Sequence, residues 1–83
     1  MIQLSKVAKA IVPIDNSLVV IDGDISPIRR GLLLVKDCWG YITYHVVLRE
    51  PFSEINVSHM RSGLYEIQLI IGQNSISQSI LIK

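Results

Sequence analysis

His45 and His59 are the two imidazoles of this sequence, and Cys38 is its one thiol. An imidazole can move a proton or hold zinc, and a thiolate can attack carbon or bind metal. Either task needs partners. A structural zinc site takes four protein ligands and a catalytic one three. Neither histidine stands in an HxxxH pattern or beside paired carboxylates, so both read as surface or hydrogen-bonded residues. Cys38, being single, cannot close an internal disulfide or build a cysteine-rich metal site. It reads as a small, partly buried hydrophobe beside a turn. Asp22 and Asp24 surround Gly23, but the remaining ligand positions of a calcium loop are absent. A plain turn is the simpler reading and a weak cation site the alternative. The serines are numerous, yet none lies in GxSxG between a strand and a helix. No catalytic, cofactor or metal residue is assigned, and the chain is expected not to be an enzyme.

The aromatic residues offer binding rather than catalysis. Trp39 and Tyr41 flank Gly40, and Phe52 follows Pro51. Rings exposed in loops can grip a sugar or a peptide. The simpler expectation is that Trp39 caps one end of the core. Tyr65 is in phase with Ile67 and Leu69, which makes it a core residue whose hydroxyl should find a backbone partner. Asn56-Val57-Ser58 fits the N-glycosylation pattern, relevant only in a eukaryotic secretory pathway.

These side chains must be positioned by strands. Apolar residues alternate with a period near two, and turn residues recur every eight to twelve positions, the signature of a sandwich or barrel. The first strand is predicted over Gln3 to Val12, with Leu4, Val7 and Ile11 inward, Pro13 ending it and Asp15-Asn16 turning the chain. Ser17 to Ile21 follows, and Asp22-Gly23 has the composition of a tight hairpin turn. Asp24 to Arg30 is weak, and Pro27 makes it an edge strand or a loop. Gly31 to Asp37 is apolar on both faces. Asp37-Cys38-Trp39-Gly40 is a turn in which the Asp side chain accepts local backbone hydrogen bonds. Tyr41 to Glu50 places Ile42, Tyr44, Val46 and Leu48 on one face and Thr43, His45, Val47 and Arg49 on the other. Pro51-Phe52 breaks it. Glu54 to Val57 is a short strand, Ser58 to Gly63 a loop, Leu64 to Ile71 a long strand and Gly72-Gln73-Asn74 a reversal. In Ser75 to Ile82, Ile76, Ile80 and Ile82 share a face opposite the serines.

An 83-residue chain is expected to form one domain, residues 1–83. At this size stability depends on dense apolar packing, which a 49% hydrophobic composition supplies. Eight Lys and Arg against seven Asp and Glu leave a net charge of +1, and the basic residues are scattered. A nucleic-acid partner would need a basic face, so none is expected. No apolar run approaches the length of a transmembrane helix. Lys6 and Lys9 interrupt the start where a signal peptide would be continuous. If exported, the chain is the mature part of its protein or a domain of a longer one. Apolar residues beyond the needs of the core, especially Leu33, Val35, Val47 and Ile70, suggest self-association.

The second half also carries a resemblance. Asn56-Val57-Ser58, Ser62-Gly63-Leu64-Tyr65, Ile67, Leu69, Gly72 and Ile80-Leu81-Ile82-Lys83 occur in order, preceded by an Asp37-x-x-Gly40 turn. This series resembles the C-terminal sorting domain of the type IX secretion system of Bacteroidetes, over about residues 31–83. The resemblance implies an immunoglobulin-like sandwich recognised by secretion machinery and joined to a cargo domain. Ile21-Asp22-Gly23 and the Gly-x-Tyr strand are similar to small secreted immunoglobulin-like Bacteroidetes proteins of unknown function. Together these readings predict an all-β, immunoglobulin-like antiparallel sandwich of about seven strands. Its expected role is a non-catalytic module, secreted, periplasmic or at the cell surface, with a protein partner. The alternatives are carbohydrate binding through Trp39 and Phe52, or a small homo-oligomeric structural protein.

Overall fold

A computed structural model describes residues 10–83 as seven strands in two antiparallel sheets. The strands are β1 (Ala10–Ile14), β2 (Ser17–Ile21), β3 (Gly31–Lys36), β4 (Ile42–Leu48), β5 (Phe52–Asn56), β6 (Gly63–Ile71) and β7 (Asn74–Ile82). One sheet has the order β1-β2-β5 and the other β4-β3-β6-β7. Leu4 and Val7, predicted to face inward, lie outside the described residues.

Both sheets feed one buried cluster. Ile11, Leu18, Val20 and Ile55 come from the three-stranded sheet, and Leu33, Val35, Leu48, Tyr65, Ile67, Leu69, Ile71, Ile80 and Ile82 from the four-stranded one. Each fully buried aliphatic side chain contributes about 1.5–3 kcal/mol relative to exposure. The predicted alternation of β6 and β7 is met, with Tyr65, Ile67, Leu69 and Ile71 buried and Ser75, Ser77 and Ser79 exposed. In β4 the predicted faces are met from Thr43 to Leu48, but Ile42, predicted to share a face with Tyr44, is 53% exposed because the register shift between Val35 and Lys36 sets it opposite Lys36. Leu48 is buried, Tyr44 and Val46 pack against the core, and Thr43, His45 and Val47 face away.

Several expectations about the strands need correction. Pro13 does not end the first strand, because β1 is an edge strand and Pro13 pairs with Leu18 without needing an outward N–H. Asp22-Gly23 does not make a hairpin, because β2 and β3 belong to different sheets. Instead the Asp24 amide donates to Asp22 Oδ1 at 2.9 Å, and the segment to Arg30 is a loop. Phe52 does not merely break a strand; it begins β5, paired with Ile21. Leu33 and Val35 are not surface residues available for association. Both are 0% exposed, while Leu32 and Leu34 take the half-buried outer face.

Candidate functional site

The β3–β6 pairing sets Lys36 opposite Glu66 and so brings the β3–β4 turn beside the loop that enters β6. Between them lies an open cleft of about 540 Å³, lined by Trp39, Thr43, His59, Met60, Arg61, Leu64 and Tyr65 together with Asp37 and Cys38. Trp39 is 79% exposed and Tyr41 71% exposed. The expectation that Trp39 caps the core is therefore wrong. The turn that carries it projects beyond the ends of β3 and β4, and Ile25, Leu48 and other aliphatics fill the interior.

That turn is held by one carboxylate. Asp37 Oδ1 accepts the amides of Trp39 at 2.9 Å and Tyr41 at 3.0 Å. The Asp37 amide donates to the Tyr41 carbonyl at 2.9 Å, and the Gly40 amide to the Asp37 carbonyl at 3.0 Å. Gly40 takes φ +86°, a left-handed conformation that side-chain-bearing residues disfavour. The local hydrogen bonding expected of Asp37 is met, and it fixes the backbone on which both aromatic rings stand.

The opposite wall is fixed as firmly. The Tyr65 hydroxyl donates to the Arg61 carbonyl at 2.8 Å, the backbone partner expected of this residue. The Met60 amide donates to the Val57 carbonyl at 3.0 Å, and the Val57 amide to the Asn16 carbonyl at 2.7 Å. Asn56 of the Asn-Val-Ser triplet is exposed, and its Oδ1 accepts both the Ser58 amide (2.8 Å) and hydroxyl (2.6 Å). The loop thus has a structural reason for that triplet. His59 is exposed and lies edge-on to Tyr44, with ring centroids 6.1 Å apart.

The other candidates are not gathered here. His45 sits in mid-β4 on the outer face, exposed. Cys38 is exposed at the turn rather than partly buried. Phe52, 59% exposed, follows β4 while Trp39 precedes it. A seven-residue strand puts about 20 Å between the two rings, so they cannot flank one small ligand. Asp22 is 1% exposed and Asp24 is exposed, so the pair does not form a solvent-facing cation loop. Among the described residues no three His, Cys, Asp or Glu side chains converge as a metal site would require. A larger open depression of about 750 Å³ lies between the β1–β2 turn and the end of β7, lined by Asp15, Leu18, Val57, Leu81 and Lys83 among others. It contains no aromatic side chain and no fixed polar cluster, which favours the Trp39 cleft as the candidate.

Met60, Arg61 and Leu64 were not expected at a site. Nothing in their local sequence marks them; only the β3–β6 pairing, a contact between distant segments, brings them to Trp39. No protein-family model matches this chain, and comparison with curated proteins finds no match.

Proposed function

We propose that this chain is an immunoglobulin-like β-sandwich acting as a non-catalytic, extracytoplasmic interaction module of sorting or accessory type, and that it grips a protein partner with the Trp39 cleft. The strand order supports the sandwich reading. β1-β2-β5 match strands A, B and E, and β3-β6-β7 match C, F and G, with β4 added beside C. The Tyr65 hydroxyl bond to Arg61, four residues upstream, has the form of the tyrosine corner found where strand F begins.

One observation carries the binding role: Trp39 and Tyr41 are displayed to solvent on a turn locked by four hydrogen bonds. Folding gains nothing from an exposed tryptophan, whereas a pre-ordered aromatic anchor loses little entropy when a partner docks. Trp, Tyr, Arg and Met are the side chains enriched in protein interfaces, and Trp39, Arg61 and Met60 line this cleft.

Selection of a displayed peptide library against the full chain tests the role. Peptides recovered should lose about 30-fold in affinity to Trp39→Ala, the equivalent of a 2 kcal/mol anchor. Selected peptides that bind the Trp39→Ala chain equally would refute it. A glycan array on the same protein addresses the carbohydrate reading, which now rests on Trp39 without Phe52. The export component has its own test. Residues 1–83 fused behind an exported passenger should place it at the surface of a bacterium with type IX machinery, and a passenger left in the periplasm rejects sorting.

A further inference from the structure

Among the described residues four strands have an unpaired side: β1 and β5 in one sheet, β4 and β7 in the other. An open edge is a template for another strand, and proteins blunt edges with brevity, proline, charge or bulges. β1 is five residues long and holds Pro13. β5 is five residues long and holds Glu54. β4 meets its neighbour across a register shift at Val35/Lys36. β7 has none of these protections. It runs nine residues, Asn74–Ile82, contains no proline or charged side chain, and pairs with β6 through nine successive positions without a shift.

The hairpin decides which backbone groups are spare. Gly72 has φ +60° and Gln73 is not in the left-handed region, the pattern of a type II′ turn closing on the Ile71–Asn74 pair. Hydrogen-bonded pairs alternate along an antiparallel ladder. Ser75, Ser77, Ser79 and Leu81 therefore turn their N–H and C=O groups away from β6.

We propose that β7 pairs antiparallel with β7 of a second copy of this chain, about a two-fold axis at Gln78, joining the two four-stranded sheets into one. The occupant follows from self-complementarity. This register sets Ser77 opposite the partner's Ser79 and Ser75 opposite the partner's Leu81, so the outward groups of all four residues pair. No like charges meet, and a net charge of +1 leaves little repulsion between copies. Gln78, at the axis, points toward the core side and donates through Nε2 to the Ile11 carbonyl at 2.8 Å, which holds it clear of the edge. No residue of β7 lines the Trp39 cleft.

Sedimentation of the full chain across concentration, with amide exchange read residue by residue, tests the pairing. Doubling of mass should coincide with protection of the Ser77 and Ser79 amides. S77K/S79K changes only exposed outer-face side chains and sets lysines against lysines, so it should remain monomeric where the natural chain is dimeric. Mixing it with S77E/S79E should restore the doubled mass. A natural chain that stays monomeric to millimolar concentration overturns the proposal. So does an S77K/S79K chain that dimerises unchanged, since association would then use another surface such as the face of Leu32, Val47 and Ile70.

Discussion

Tyr65→Phe isolates the hydroxyl that ties β6 to the wall of the cleft. The ring is 8% exposed and remains in place, so the perturbation is the 2.8 Å bond to the Arg61 carbonyl. A partly buried neutral hydrogen bond contributes about 1 kcal/mol net, with a range of about 0.5–1.5 kcal/mol. For 83 residues the unfolding entropy near the midpoint is about 0.17 kcal/mol/K, so this loss lowers Tm by about 6 °C. In urea the midpoint should fall by about 1 M, with an unchanged slope. The same change releases one end of the segment 58–62, so its amides should exchange faster than those of β3. Circular dichroism melts and hydrogen exchange on the natural and variant chains give both readings. An unchanged Tm, with exchange in 58–62 also unchanged, would refute the claim that this bond secures the cleft. A loss of about 3–5 kcal/mol, the scale of removing a whole buried aromatic ring, would show that the hydroxyl is not the term that matters.

Two further substitutions follow. Leu33→Ala should cost about 2–5 kcal/mol because Leu33 is fully buried, and Val47→Ala less than about 0.5 kcal/mol because Val47 is 44% exposed; urea unfolding of each separates core from surface. Asp37→Ala removes the acceptor for the Trp39 and Tyr41 amides, at about 1–2 kcal/mol in stability, and time-resolved anisotropy of Trp39 should show a faster local motion.

The strands were legible wherever one face meets the core and the other meets water. β4, β6 and β7 show this alternation in their residues, and Tyr65 was readable because it stands in phase with Ile67 and Leu69. β3 was readable as a strand, but not its inner face. Leu32, Leu33, Leu34 and Val35 carry no alternation, and only pairing with β4 and β6 assigns Leu33 and Val35 to the core. Asp22-Gly23 misled because hairpin chemistry is local, whereas passage from one sheet to the other is decided by the whole chain. Asp22 pays for that passage: its Oδ1 holds the Asp24 amide while Oδ2 is buried without a hydrogen-bond partner among the described residues. Trp39 was misplaced because hydrophobicity alone cannot tell a ring displayed on a turn from one that fills the core.

The bond from Gln78 to the Ile11 carbonyl spans 67 positions of chain. It has a temporal meaning as well as a geometric one. β1 is the first described strand and β7 the last, so a chain emerging residue by residue can complete β1-β2 only as a hairpin. The three-stranded sheet must wait for β5, and the tie between the sheets must wait for β7. Distant pairings of this kind carry the full cost of loop closure before they stabilise anything, which slows folding. Among the described strands β7 is therefore the clasp, and its outer edge is the last of the four to be offered for pairing.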